Sequence, residues 1–171
     1  MQIENDQIEK LSRIEIFSDL SPSNSEDRKI LEALANLLSE KKFKKGEMII
    51  REGDMGDCLY ILAKGSVQIL RNTMGDEKYA VVNLNASQNV FFGEVALIDS
   101  DKRSASVVAL EDCKTWVLTG ELYEKICNKE PRFGYLVTYR IAKRIASTLR
   151  NTNNDIITLY EALLDEVEGK K

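Results

Sequence analysis

Residues 92–98, with the sequence Phe-Gly-Glu-Val-Ala-Leu-Ile, combine groups that suit an anionic ligand. A glycine followed by a short helical turn leaves the first backbone N–H groups of that turn without partners, and the helix dipole adds positive potential there. Arg103 and Ser104 follow shortly afterwards in the chain. The planar guanidinium of an arginine can donate to two phosphate oxygens, and the serine adds a hydroxyl donor. The segment therefore predicts a phosphate-binding loop.

Glu94 lies inside this segment and requires a different role. A phosphate repels a carboxylate, so Glu94 is better suited to accept a hydrogen bond from a sugar hydroxyl while an arginine neutralises its charge. The predicted ligand thus combines a phosphate with a ribose. A plain turn followed by an exposed cluster of charges is the alternative interpretation of the same residues.

The composition argues against several kinds of chemistry. The 171 residues include no histidine, which removes the usual general base, the imidazole-dependent triads and histidine-ligated zinc sites. We expect no catalytic residues, no metal site and no cofactor, and a histidine-dependent jelly-roll enzyme is disfavoured for the same reason. Cys58, Cys113 and Cys127 follow no CxxC pattern and are expected to be buried, reduced thiols.

Charge and hydropathy limit the location and the partners of the chain. The formal net charge of -4 argues against a generic binder of nucleic-acid backbones. No apolar run approaches the roughly 20 residues that span a bilayer. Residues 1–10 carry three carboxylates where a signal peptide would be apolar. We therefore expect a cytoplasmic protein that contacts neither a membrane nor DNA.

Residues 1–42 are predicted as an N-terminal helical segment with two helices, because apolar residues recur there at helical spacing. Ser23 with Glu26 fits a capping box at the start of the second helix. Lys41 and Lys42 would lie near the end of that helix, where cations suit the helix dipole. These helices are expected to pack against the rest of the domain.

Residues 43–118 change to a period of two, with short runs rich in valine, isoleucine and aromatic residues. Turn residues separate these runs, and one predicted turn contains Gly75 and Glu77. Several short strands at regular spacing are typical of a sandwich, a jelly roll or a barrel. The pattern thus predicts a mainly β core within an α+β chain.

Residues 119–171 return to the helical period, and Pro131 suits the first position of a helix. Residues 151–154 are poor helix formers and predict a bend or break, after which Asp155 would cap a last helix. The apolar seam of this last helix consists of Ile156, Leu159 or Tyr160, Leu163 and Val167. Such a seam predicts a homodimer across the C-terminal helices, and a monomer with the helix folded back over the β core is the alternative.

Two motifs resemble those of a known family. Residues 92–98, followed without insertion or deletion by residues 103–106, are similar to the phosphate-binding cassette of the cyclic nucleotide-binding domain. Residues 52–62, with Gly65, resemble the strand-turn-strand signature of the same family. The resemblance extends over residues 16–150 and is strongest to the bacterial catabolite-activator type, which is also described as a cyclic AMP receptor.

The resemblance implies an eight-stranded jelly-roll β-barrel, or double-stranded β-helix, between N-terminal helices and long C-terminal hinge helices. The cassette would span residues 92–106, and the ligand would be cyclic AMP or cyclic GMP. The cassette backbone with Arg103 and Ser104 would hold the cyclic phosphate, and Glu94 would bind the ribose 2′-hydroxyl. The implied ligand contacts in the barrel are Phe92, Gly93, Glu94, Val95, Ala96, Arg103, Ser104 and Ala105.

Two further contacts follow when the long C-terminal helix is aligned with the family without gaps. Arg144 would pair with Glu94, and Thr148 would contact the adenine amino group. A solvated charge and a surface hydroxyl are the alternatives for these two residues, and Leu149 could cover the base instead. Thr148 favours cyclic AMP, whereas Ser104 does not exclude cyclic GMP.

The resemblance implies a regulatory protein rather than an enzyme. Ligand binding would shift the population of C-terminal helix arrangements, and a downstream protein partner, which the sequence does not identify, would bind the altered surface. Residues 151–171 are too short for a helix-turn-helix module, so direct contact with DNA is not expected. The alternatives are a transcription-regulator relative that acts through a partner subunit, and a dimeric scaffold that does not respond to nucleotides.

Overall fold

The structure is a computed structural model that describes residues 2–72, 78–167 and 169. The predicted turn at Gly75 and Glu77 lies outside these residues, as do the outermost residues of the chain. The described chain runs from N-terminal helices through eight β-strands to two C-terminal helices. None of the helices within these ranges is long and apolar enough to cross a membrane.

The core of the chain consists of the antiparallel strands β1 (Ser39–Phe43), β2 (Met48–Ile50), β3 (Cys58–Lys64), β4 (Ser66–Asn72), β5 (Lys78–Asn85), β6 (Phe91–Phe92), β7 (Ser106–Ala109) and β8 (Cys113–Thr119). They form two four-stranded sheets, in the orders β1-β8-β3-β6 and β2-β7-β4-β5. Apolar side chains from both sheets, among them Leu62 and Val67, pack together between them. The predicted eight-stranded jelly roll is confirmed, as a roll of two facing sheets rather than a closed hydrogen-bonded cylinder.

The first strand begins four residues before the predicted β boundary at residue 43. β1 pairs antiparallel with β8, and Ser39 lies opposite Val117. Lys41 and Lys42 therefore lie on a strand, and their predicted position near the end of a helix is wrong. The period-two signal is missing because β1 is an edge strand with exposed residues on both faces, where lysines are common.

Three helical elements precede the sheets: α1 (Gln2–Ser12), a 3₁₀ helix (Glu15–Phe17) and α2 (Ser25–Leu37). The N-cap of α2 is Asn24, whose side-chain oxygen accepts from the N–H groups of Glu26 at 2.9 Å and Asp27 at 3.1 Å. The predicted capping box with Ser23 is wrong by one residue. Asparagine caps a helix as well as serine does, so residue preference alone could not choose between the two neighbours.

Two helices follow the sheets: α3 (Gly120–Lys129) and α4 (Pro131–Val167). α4 is one unbroken helix of 37 residues, so the predicted break at residues 151–154 and the cap at Asp155 are wrong. Asparagine and threonine each lower helix stability by less than about 1 kcal/mol, which is too little to interrupt the helix without a glycine or a proline. The predicted alternative of a folded-back helix is also wrong, because Leu159 is 70% exposed.

The first half of α4 is anchored to the N-terminal helical elements. Three α4 side chains are fully buried in this contact: Phe133, Val137 and Ile141. The ring of Phe133 stacks on Phe17 with centroids 6.1 Å apart. At the surface, the guanidinium of Arg140 donates to both carboxylate oxygens of Asp19, at 2.5 and 2.6 Å. α4 and the N-terminal segment therefore form one packed unit beside the roll.

Candidate functional site

Arg103 lies almost entirely inside the protein, with 9% of its surface exposed. Its Nη1 donates to the backbone oxygens of Cys58 at 2.8 Å and Gly93 at 3.1 Å. Its Nη2 donates to Sγ of Cys58 at 3.3 Å. These bonds to the start of β3 and to the turn after β6 hold the guanidinium in a fixed place between the two elements.

Two glycines leave the space that Arg103 occupies. A Cβ on Gly56 would lie 2.7 Å from Cδ of Arg103 and closer still to Nε, so a side chain there would displace the guanidinium. A Cβ on Gly93 would lie 2.8 Å from Nη1. Gly93 also has a φ of 79°, in the left-handed region that side chains disfavour. Both positions therefore require glycine for this arginine to be placed as it is.

The segment before β3 also positions the backbone of Arg103. The N–H of Arg103 donates to the carbonyl oxygen of Asp54 at 2.8 Å, and the carbonyl oxygen of Arg103 accepts from Gly53 at 2.9 Å. The N–H of Gly56 donates to the carbonyl oxygen of Asp101 at 3.1 Å. The upstream motif is thus the structural support of the predicted phosphate-binding arginine.

Within the described residues, no neighbouring side chain neutralises the charge of Arg103. In the part of the chain that the structure describes, no ion pair within 4.0 Å involves Arg103. Its contacts with two carbonyl oxygens and a thiol satisfy hydrogen-bond donors but leave the positive charge in place. Burying a cation is unfavourable unless an anion compensates for it. The site therefore favours an anionic ligand beside this guanidinium.

The turn after β6 supplies a second group of donors. Gly93 is the N-cap of a 3₁₀ helix (Glu94–Leu97), and the side chains of Ala96 and Leu97 anchor that helix in the protein interior. The first N–H groups of such a helix have no partners within it. Because the carbonyl oxygen of Gly93 accepts from Arg103, these N–H groups and the guanidinium belong to the same corner of the molecule.

Arg144 on α4 borders the same corner from the helical side. Its Nε donates to Oε1 of Glu94 at 3.0 Å, and its Nη1 donates to Oε2 of Glu15 at 3.2 Å. Its Cζ lies 4.6 Å from the ring centroid of Phe91. The predicted pair of Glu94 and Arg144 is confirmed. The contact with Glu15 was missed, because no motif places the N-terminal 3₁₀ helix beside α4.

These elements surround an open cavity of about 640 Å³, a volume typical of small-molecule sites. Leu149, the alternative contact to a base, is not among the residues that line it. The structure brings all ten predicted ligand contacts to its wall: Phe92, Gly93, Glu94, Val95, Ala96, Arg103, Ser104, Ala105, Arg144 and Thr148. Their role as ligand contacts stays a prediction.

The cavity wall includes residues that the sequence analysis missed. Five of them lie on β4 and β5: Ile69, Arg71, Tyr79, Val81 and Val82. Alternation marks one face of β4, but the consecutive residues Val81 and Val82 both reach the wall because the pairing of β5 with β4 skips Val81. The sequence shows neither this irregularity nor which face meets the cassette. Thr152 and Asp155 lie one and two turns beyond Thr148 on α4. Helical spacing predicts both once α4 is unbroken, so the wrongly predicted break concealed them.

Tyr60 supports the cassette from the core of the roll. Its ring stacks on that of Phe92 with centroids 5.5 Å apart. Burial, reinforced by a hydrogen bond with Cys58, raises the pKa of Tyr60 to about 12. The phenol therefore stays protonated and uncharged at neutral pH, and its contribution to the site is packing rather than proton transfer.

A known protein family matches the segment of the chain that contains the cassette. Residues 40–130 match the cyclic nucleotide-binding domain. The chain is 28% identical over 149 residues to a cyclic AMP receptor protein from Thermus thermophilus. The aligned region covers 86% of this chain and 63% of that protein. The chain is also 32% identical over 134 residues to a cAMP-dependent protein kinase regulatory subunit from Blastocladiella emersonii. That aligned region covers 78% of this chain and 27% of that protein.

The fold is also found in a solved structure. The crystal structure of Thermus thermophilus catabolite activator protein matches with a TM-score of 0.72 at 28% sequence identity, over 85% of this chain and 62% of that chain. The chain thus spans less than two thirds of the length of these relatives. The family match over residues 40–130 includes the cavity-wall residues of the cassette.

Gly56→Ala is expected to displace Arg103 while the sheets stay intact, because the added methyl group overlaps the arginine side chain. Overpacking of this kind lowers the free energy of unfolding by about 1–3 kcal/mol. A crystal structure of the variant should show that the 2.8 Å bond from Nη1 to Cys58 is lost. Gly120→Ala is the control, because its Cβ meets only the oxygen of Asp57, at 3.3 Å. An unmoved guanidinium in the first variant would contradict the role given to the glycine.

Proposed function

Because the chain belongs to the cyclic nucleotide-binding domain family, we propose that it is a regulatory protein that binds a cyclic nucleotide, preferably cyclic AMP, and catalyses no reaction. The observation that carries this proposal is Arg103, a buried guanidinium for which the described chain offers no carboxylate, at the wall of the cavity beside the Gly93 turn. A cyclic phosphate carries one negative charge and can accept from both the guanidinium and the N–H groups of the turn.

Glu94 would bind the ribose of this ligand. Its side chain is 14% exposed at the cavity wall, and Arg144 compensates its charge at 3.0 Å. A carboxylate neutralised in this way can accept a hydrogen bond from the 2′-hydroxyl without strongly repelling the phosphate at Arg103. Ser104, exposed at the rim of the cavity, would add a hydroxyl donor to the phosphate.

Thr148 would contact the base. It lies one turn after Arg144 on α4, and both residues line the cavity. Its hydroxyl oxygen can accept a hydrogen bond from the amino group of adenine. Thr152 and Asp155 extend the polar wall along the same helix. This arrangement supports cyclic AMP as the preferred ligand, with cyclic GMP as the second candidate.

α4 would carry the signal away from the site. Its first half contacts the cassette through Arg144, whereas its second half is exposed. A ligand that binds some orientations of α4 more tightly than others shifts the population toward them. A downstream protein partner would then bind the helix surface that this shift presents.

The second half of α4 would also join two copies of the chain. From Ile145 onward, exposed apolar side chains recur on α4 at alternating steps of three and four residues, with Thr152 in the same register, as at the a and d positions of a coiled coil. These side chains are Ile145, Leu149, Ile156, Leu159 and Leu163, each between 39% and 70% exposed. A dimeric scaffold that does not respond to nucleotides is the second candidate function, because this seam by itself needs no ligand.

Arg103→Ala is expected to weaken cyclic AMP binding by roughly 30- to 4000-fold, because a desolvated phosphate loses its charged partner. Isothermal titration calorimetry of the purified chain with cyclic AMP and cyclic GMP measures this loss. Arg51→Ala removes a charge from an exposed residue outside the cavity wall and is the control. If the unmodified chain gives neither heat nor a thermal shift with either nucleotide at millimolar concentration, the proposed function is wrong.

Thr148→Val keeps the shape of the side chain and removes its hydroxyl group. The affinity for cyclic AMP is expected to fall by about 3- to 10-fold, the value of one hydrogen bond, while that for cyclic GMP changes less. Thr158→Val makes the same exchange on an exposed face of α4 away from the cavity. An unchanged affinity for cyclic AMP in Thr148→Val would remove the support for adenine recognition.

Leu159→Glu is expected to convert a dimer of the chain to a monomer, because it places a charge in the apolar seam. Leu159 is 70% exposed and belongs to neither core cluster, so the fold of each copy should be unaffected. Light scattering with and without cyclic AMP measures the mass. Asn154→Glu introduces the same charge outside the seam and should remain dimeric. A monomeric unmodified chain at micromolar concentration would contradict the proposed dimer.

A further inference from the structure

Arg144 is shared between two carboxylates on separate elements. Its Nε donates to Glu94 in the cassette at 3.0 Å, and its Nη1 donates to Glu15 in the N-terminal 3₁₀ helix at 3.2 Å. The side chain of Glu94 is 14% exposed, whereas that of Glu15 is 56% exposed. The guanidinium therefore divides its donors between a carboxylate at the cavity wall and one outside the roll.

Glu15 is held in place by its neighbours. Ile16 and Phe17, the next two residues of the 3₁₀ helix, are each only 1% exposed. The ring of Phe17 stacks on Phe133 at the start of α4. The backbone of Glu15 therefore cannot approach the cavity unless the packed N-terminal segment moves with it, and Arg144 must reach outward to keep the contact.

A guanidinium binds a carboxylate most strongly when two parallel N–H groups donate to its two oxygens. Arg144 makes a single bond to Glu94, through Nε, and its bond from Nη1 to Glu15 holds the guanidinium in this orientation. Two parallel bonds, from Nε and Nη2, would compensate the cassette carboxylate more strongly. The weaker compensation of Glu94 opposes the binding of an anion at the same site.

We propose that Glu15 is a positioning residue that lowers the affinity of the site for cyclic nucleotides by drawing Arg144 away from Glu94. This inference rests on the proposed function and adds a residue that regulates the affinity of the same site. A movement of the N-terminal segment that displaces Glu15 releases the guanidinium, so that Nε and Nη2 can both donate to Glu94, and tightens ligand binding. By linkage, ligand binding favours the displaced position of Glu15 by the same factor.

Glu15→Gln tests the proposal by calorimetric titration with cyclic AMP. The affinity is expected to rise by about 2- to 5-fold, the range of a partly exposed ion pair. Asp19→Asn is the matched control, because it removes the same charge from the same segment and breaks the neighbouring ion pair with Arg140, but touches neither Arg144 nor the cavity. Its affinity should equal that of the unmodified chain.

A second pair of variants tests the path through Arg144. In an Arg144→Gln background, Glu15→Gln should leave the affinity unchanged, because the group through which Glu15 acts is gone. An equal gain in Glu15→Gln and Asp19→Asn would assign the effect to general electrostatics and overturn the proposal. An unchanged or weaker affinity in Glu15→Gln would also overturn the proposal, while the proposed function would stand. If the unmodified chain binds no cyclic nucleotide, both fail together.

Discussion

The burial of one guanidinium is the constraint on which the rest of the site depends. Arg103 reaches backbone oxygens of both Cys58 and Gly93, and it can do so only because residues 56 and 93 are glycines. The jelly roll holds these elements at the necessary separation. Since no ion pair of the described chain includes this cation, burial of the group is unfavourable until an anion compensates it. In the proposed function, stability and ligand binding would therefore be coupled through a single side chain.

A second arginine, Arg144, connects this site to the helices. Arg103 is held by backbone atoms of the roll, whereas Arg144 is held by two side chains, Glu94 and Glu15, on separate elements. The N-terminal segment and α4 pack together through Phe17 and Phe133, so they respond as one unit. A change in the charge balance at Glu94 can thus alter the position of that unit. The apolar second half of α4 lies on the same helix and would report such a change to a partner or a second copy.

The accuracy of the sequence predictions depended on how local each interaction is. The cassette residues lie within one short segment, and the structure brings them to one cavity wall, while their role as ligand contacts stays a prediction. The pairing of Arg144 with Glu94 was predicted from a family resemblance and confirmed. One error arose at Ser23, because N-cap preference does not distinguish this serine from the neighbouring asparagine. Another arose at residues 151–154, because their low helix propensities were taken to predict a break that the helix does not have. β1 escaped notice because its pairing with β8 joins residues far apart in the chain.

By itself the sequence determined which residue types are available for a phosphate and a sugar, namely a glycine turn, one arginine and one carboxylate, and it determined that no imidazole is among them. Only the tertiary structure decided that Gly56 makes room for Arg103, that Arg144 also donates to Glu15, and that β4 and β5 line the same cavity as the cassette. The physical reason is that turn and helix preferences act over a few residues. Contacts between distant segments exist only after two sheets and four helices have packed.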